Sequence, residues 1–272
     1  MTAAGQGPPI LENILVGPPP TARPDIDFEP VAKRVRAFVA GVAIADSCRV
    51  MMMRETSRLV VYYFPVEDVH ADLLVLSGTT VTSPFKGDAT YYSIVVDGRT
   101  VKDAAWRYLN PAAGCPDIGG YVAFHWREMD AWFDEDEEVF VHARDSHHRI
   151  DVLASSRHVR VVIGGETVAE TQRAMFLFET GLPPRYYIPK EDIRMDLLQP
   201  SQLKTACAYK GPTSAYWQAA TADGAVREVA WSYETPLPEV ARVAGLVAFF
   251  NERVDAIYVD GVEMSRPQTP WN

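Results

Sequence analysis

Two stretches decide the fold: VRAFVAGVAIADSCRVMMMRETSRLVVYYFPVEDVHADLL (Val35–Leu74) and VRVVIGGETVAETQRAMFLFETGLPPRYYIPKEDIRMDLL (Val159–Leu198). They align without a gap, 124 residues apart, and 16 of the 40 positions are identical. Arg49 meets Arg173, Glu55-Thr56 meets Glu179-Thr180, and Tyr62-Tyr63 meets Tyr186-Tyr187. Lys86-Gly87 then meets Lys210-Gly211. After a small gap, Ala105-Trp106-x-Tyr108 meets Ala230-Trp231-x-Tyr233, and Val122–Phe124 meets Val247–Phe249. Similarity kept in order over so long a stretch marks a tandem duplication. The copies are read as residues 31–140 and 156–264.

Local patterns make each copy mainly β. Val159–Val168 alternates around Gly164-Gly165, which predicts a hairpin. Ala174–Phe178 and Arg185–Ile188 read as short strands separated by Gly181-Leu-Pro-Pro184. Asp223-Gly224 predicts a second hairpin between Tyr216–Ala222 and Val226–Tyr233. Leu246–Phe250 and Ala256–Val259 have strand composition. Pro189–Leu198 and Pro238–Ala244 read as turns or short helices.

The flanks differ in composition. Residues 1–30 hold seven of the 20 prolines and read as an extended segment, with Ile10, Leu11, Ile14, Leu15 and Val16 able to lie against a domain. Residues 141–155 read as a linker and 265–272 as a tail. Asp134–Glu138 is an acidic run, read as a solvated loop.

With 26 basic and 36 acidic residues the net charge is −10, the wrong sign for wrapping a polyanion, so no nucleic-acid partner is expected. Cys48, Cys115 and Cys207 are odd in number and widely spaced. This excludes a disulfide framework and a cysteine-based zinc site of the usual spacing, and suits a reducing cytoplasm. No apolar run is long enough to span a bilayer as a helix, and Met1–Gly7 lacks the basic and apolar pattern of a signal peptide, so no membrane partner is expected.

The second copy carries Glu179-Thr-Gly-Leu-Pro-Pro-Arg-Tyr-Tyr-Ile-Pro189, Glu191–Leu198, Cys207-Ala-Tyr-Lys-Gly211, Ala230-Trp-Ser-Tyr233 and Ala244–Phe249. In these motifs and their order the chain resembles the bacterial and fungal family called domain of unknown function 427, also labelled nucleotidyltransferase-like. The resemblance spans both copies, about four-fifths of the chain. It implies two tandem β-tent-like domains, each of two antiparallel sheets meeting at an angle. Relatives with that fold often bind zinc through cysteines, which this chain lacks. The first copy departs from the motif: Ser57–Val60 replaces Gly181–Pro184, and Ser83 replaces Cys207. In the second, Ala206 and Ala208 stand where the family has His and Pro beside that cysteine.

The polar and aromatic residues shared by both copies are the candidate site. They are Arg49, Glu55, Tyr63, Lys86, Tyr92, Trp106 and Tyr108, matched with Arg173, Glu179, Tyr187, Lys210, Tyr216, Trp231 and Tyr233. Trp and Tyr two apart on a strand share a face. An aromatic wall with a few convergent charges suits a small organic molecule bearing an anionic or carbonyl group. The bland alternative is that the rings fill the core and Arg pairs with Glu. Lys86, Glu55, Lys210 and Glu179 are the candidates for acid–base catalysis by a cofactor-independent isomerase, cyclase or hydrolase. Cys207, close to Lys210, is a weaker candidate nucleophile. A metal-dependent nucleotidyltransferase would need carboxylates such as Asp134-x-Asp136 after Gly119-Gly120, but the aligned Val259 and Gly261 cannot bind metal. His142, His147, His148 and His158 show no fixed ligand spacing and read as solvated linker histidines. The expectation is a small-molecule-binding protein without cofactor or metal.

Overall fold

A computed structural model describes residues 24–269, so the apolar positions between Ile10 and Val16 lie outside the described residues. The chain divides into two compact units, residues 1–144 and 145–272. The division falls inside the segment read as a linker.

In the first unit β1 (Ile26–Pro30), β2 (Val35–Val39), β3 (Val42–Ser47), β4 (Met51–Glu55), β5 (Val61–Pro65), β6 (Leu74–Ser83), β7 (Gly87–Val96), β8 (Arg99–Tyr108), β9 (Tyr121–Phe124), β10 (Ala131–Asp134) and β11 (Glu137–Glu138) form two sheets. The larger runs β1-β4-β5-β9-β8-β7-β6 and the smaller β11-β10-β2-β3. In the second unit the strands are β12 (Ile150–Ala154), β13 (Val159–Ile163), β14 (Glu166–Thr171), β15 (Met175–Glu179), β16 (Arg185–Ile188), β17 (Gln199–Ser201), β18 (Ala206–Cys207), β19 (Gly211–Pro212), β20 (Ala215–Ala220), β21 (Val226–Ser232), β22 (Val247–Phe249), β23 (Ala256–Val259) and β24 (Val262–Glu263). They repeat the plan as β12-β15-β16-β22-β21-β20-β17 and β14-β13-β23-β24, with β18-β19 as an added two-stranded ladder. Every named strand pair is antiparallel. The expectation of two mainly-β copies, each built on two antiparallel sheets, holds.

Two details shift the expected boundaries. β1 pairs with β4, Ile26 opposite Glu55, and β12 pairs with β15, Ile150 opposite Glu179. The opening strand of each copy therefore lies in the stretch read as flank or linker. Asp134 is also no solvated loop residue. Ala131-Trp-Phe-Asp134 is a strand beside β2, and Asp134 is buried, accepting from the Tyr62 hydroxyl at 3.2 Å and from Lys33 Nζ at 2.8 Å. The hairpin turns at Glu135, whose φ is 54°. Asp136 is exposed and pairs with Arg36 at 2.9 Å.

The alternation of side chains sets up two apolar layers in each unit. Tyr62 and Phe64 join Val35, Val39, Ile44 and Trp132 in a core that takes residues from both sheets, while Tyr63 points to the other side of the large sheet. In the second unit Tyr186 and Ile188 enter the core and Tyr187 points away from it.

Candidate functional site

The far side of the large sheet carries most of the shared set. Tyr63, Trp106 and Tyr108 cluster with Met53, Ile118 and Ala123, and Tyr187, Trp231 and Tyr233 cluster with Leu177, Val240 and Phe250. Trp231 Nε1 donates to the Tyr187 hydroxyl at 3.3 Å. Burial raises the phenols of Tyr63, Tyr108, Tyr187 and Tyr233 well above the ordinary tyrosine value, so they stay protonated at neutral pH.

Beside these rings each copy buries an ion pair. Glu55 at the end of β4 binds Lys86, and Glu179 at the end of β15 binds Lys210 Nζ at 2.5 Å. Each carboxylate takes a second basic partner from a different part of the chain. Arg58 Nε lies 3.1 Å from Glu55, and His148 Nε2 lies 3.0 Å from Glu179. Burial alone would raise the Glu179 carboxyl, but the His148 hydrogen bond and the Lys210 charge outweigh it and hold it below the usual carboxylate range.

The Lys-Gly motif positions the ammonium. Gly87 and Gly211 take φ of 95° and 87°, a region open to glycine at little cost. The lysine carbonyls then accept from the covering loops, Ala112 N to Lys86 O at 3.0 Å and Leu237 N to Lys210 O at 3.1 Å.

Two predicted members lie elsewhere. Arg49 and Arg173 do not pair with Glu55 or Glu179 and line neither cavity described below. They are exposed, and each grips one carboxylate with two nitrogens, Asp68 at 2.6 and 3.1 Å and Asp192 at 2.9 Å twice. The same carboxylates accept from Ser47 and Thr171, so the arginines fasten the end of β3 or β14 to the following 3-10 turn.

Tyr92 is not the counterpart of Tyr216. Tyr216 lies opposite Trp231 in the ladder, and in the first copy Tyr91 lies opposite Trp106. Tyr91, Trp106 and His125 form one ring cluster, matched by Tyr216, Trp231 and Phe250. Tyr92 packs against the other layer. A one-residue slip changes the sheet face, and the second copy has two residues between Gly211 and Ser214 where the first has only Asp88 between Gly87 and Ala89.

His148 is likewise no solvated linker histidine: it stacks on Tyr209 at 4.0 Å, and Asp145 N donates to the Tyr209 hydroxyl at 2.8 Å. His147 is exposed, and His158 meets Glu170 at 2.8 Å. Among the described residues no three His, Cys, Asp or Glu side chains gather as a metal site.

The cavity lies where the shared set did not point. In the first unit Trp106, Tyr62, Phe124, Val60, Val61, Trp126, Arg127, Trp132 and His142 surround an inner space of about 20 Å³. Trp126, Arg127, Trp132 and Val141 also line an outer opening of about 330 Å³ with Met129 and Phe140. Of the predicted residues Trp106 lines the inner space, and Lys86 and Glu55 line neither. Trp126 and Trp132 stack at 4.4 Å, and Trp132 Nε1 donates to Trp126 O at 3.0 Å.

The second copy differs at the equivalent positions. Asn251, Glu252 and Ile257 replace Trp126, Arg127 and Trp132, and Arg185 replaces Val61. There Arg185 and Glu252 form a buried two-point ion pair at 2.6 and 2.7 Å. A search confined to residues the copies share passes over this cleft because it is built from their differences. The signal available in the sequence was the Trp126-Arg127 pair followed by Trp132.

Residues 27–135 and 151–260 each match one family model, described as Domain of unknown function (DUF427). Comparison with curated proteins gives no match. Among the described residues no helix is long and apolar enough to cross a membrane.

Proposed function

The chain belongs to that DUF427 family, in two copies, and on this premise we propose that it binds a small organic molecule in the first copy, in the cleft walled by Trp126, Trp132 and Trp106. The observation that carries this reading is the contrast between the copies. One fold lines an opening with indoles at positions where the other sets a buried Arg185–Glu252 pair. An opening of about 330 Å³ is within the usual size of ligand pockets, and the inner space is about one water across. The ligand class is a flat, largely apolar body carrying a carboxylate or carbonyl. The indole faces supply area, and Arg127 supplies the positive charge common to both parts of the cleft.

Acid–base catalysis at the shared pairs is the weaker reading. A general base works best with a pKa near the operating pH. Glu179 is held low between Lys210 and His148, while the neighbouring phenols are pushed high. These groups are matched to one another rather than to a substrate proton.

The test is mass spectrometry of the purified full chain under native and denaturing conditions, with a panel of aromatic carboxylates followed by tryptophan fluorescence. Trp126→Ala is expected to weaken binding by roughly 10- to 100-fold, as for the loss of an aromatic wall. Asn251→Ala at the equivalent place is expected to leave it unchanged. A ligand whose affinity ignores Trp126→Ala, or a chain that carries no adduct and binds none of the panel, overturns the reading.

A further inference from the structure

Residues 138–143 run past both parts of the cleft. Glu138, Val139, Phe140 and Val141 line the outer opening, and Val141, His142 and Ala143 line the inner space, so Val141 stands where the two meet. Its backbone is strained: φ is 71°, a region that a β-branched residue rarely enters. His142 N donates to Phe140 O at 2.8 Å, closing a three-residue turn on Val141. With a positive φ at its centre, this is the strained hand of that turn. The second copy has a relaxed counterpart. Val139 N donates to Trp132 O and Met264 N to Ile257 O, at 2.9 and 2.8 Å, so Arg266 stands at the place of Val141. Arg266 keeps an ordinary φ, and its Nη2 donates to Val254 O and Asp255 O at 2.8 and 3.2 Å. Three residues on, Thr269 Oγ1 donates at 2.8 Å to Glu252, the carboxylate that pairs with Arg185. The strained turn thus belongs to the copy with the cleft, and the pinned segment to the copy with the ion pair.

We propose that Phe140–Ala143 is a gate inside the cleft: opening carries Val141 out of its positive-φ turn and joins the inner space to the outer opening. The proposal rests on the reading that the cleft takes an organic molecule. A strained turn persists only while the packing around it outweighs its cost. Relief of that strain on opening favours the open state, so this segment opens at less cost than a relaxed loop would. While the turn is closed, the inner space of about 20 Å³ has room for about one water. Trp106 lines that space and not the outer opening, whereas Trp126 and Trp132 line both. A flat body held at the outer indoles therefore gains contact with Trp106 only when Val141 moves. A ligand with that extra contact in one state shifts the population toward it.

Amide hydrogen exchange of the full chain without ligand reads the gate directly. The His142 N–H is expected to exchange by local opening, ahead of the amides of β5 and β9. Val141→Gly adopts a positive φ freely and is expected to slow His142 exchange roughly tenfold by favouring the closed turn. Val141→Ala removes most of the side chain but keeps the strain, and is expected not to slow it. Binding of 4-nitrobenzoate, followed by quenching of tryptophan fluorescence, is expected to be roughly tenfold weaker in Val141→Gly than in Val141→Ala, because the open fraction is smaller. Exchange at His142 that waits for global unfolding, or that Val141→Gly leaves unchanged, overturns the gate. Equal affinity of the two variants for 4-nitrobenzoate also overturns it. Failure of the cleft reading looks different: no aromatic carboxylate binds, while Val141→Gly still slows exchange at His142, which supports the opening of the turn.

Discussion

Lys210 Nζ sits 2.5 Å from Glu179 Oε2 with both side chains almost out of solvent, and Lys86 repeats the arrangement with Glu55. Burying two charges costs several kcal/mol per ion unless geometry and further hydrogen bonds return it. Here the return comes from the direct contact and from the second basic group on each carboxylate.

The second copy should lose stability in acid as Glu179 protonates. Its folded carboxyl is held below the ordinary range, while the unfolded chain titrates near about 4.3. A lowered folded pKa contributes stability above the unfolded value and loses it as pH falls through the folded value. Glu179→Gln should therefore cost about 3 kcal/mol at pH 7, in line with breaking a buried pair. The difference from the natural chain should close as pH falls below about 4. Thermal melts of both proteins across this range check the sign.

The two lysines should differ when removed. Lys86→Met leaves Glu55 with Arg58, which is charged at any working pH. Lys210→Met leaves Glu179 with His148, a single imidazole nitrogen in place of a guanidinium. Lys210→Met should lower melting temperature more than Lys86→Met. Ligand affinity should be untouched by either, because neither lysine lines the cleft.

The two glycines of the Lys-Gly turns should also separate. A Cβ on Gly87 would lie 3.0 Å from Asn110 O and 3.3 Å from Ala112 N, both backbone atoms. On Gly211 the nearest atom is Leu237 Cγ at 3.5 Å. Both alanines carry the positive-φ strain of about 1–2 kcal/mol, but only Gly87→Ala adds a backbone clash. Denaturant melts should rank Gly87→Ala as the more destabilising.

Chains cut between Arg144 and Asp145 should each fold. Each unit has its own two sheets and its own apolar layers, which is what an independent domain requires. Native-like circular dichroism and a cooperative melt for both halves is the expected result. An unfolded half would show that it depends on the other.

The duplication, the strand positions and the aromatic layer were legible because each depends on a local period or a repeated residue. Trp106 with Tyr108 shows the face rule directly. The register of Tyr92 was not legible, since the one-residue difference between the copies had no fixed place in the alignment. The role of Arg49 was hidden for another reason. Five carboxylates, Glu29, Asp46, Glu55, Glu67 and Asp68, lie within 20 residues of it, and only the fold shows that Asp68 faces it. His148 looked like linker because its partner, Glu179, is 31 residues away on the adjoining strand.

The extra residue between Gly211 and Ser214 has a practical side for anyone building hybrids of the two copies. A graft of β20–β22 in place of β7–β9 has to be joined at Lys86-Gly87 with the host's spacing, one residue ahead of Ser214. Joined with the donor's spacing, Tyr216 would take the place of Tyr92, and the ring that belongs on the outer side would be driven to the core side of the sheet. The join is thus a switch of parity, and its correct setting can be read from whether the hybrid's Tyr216 lies on the same side of the sheet as the host's Tyr63.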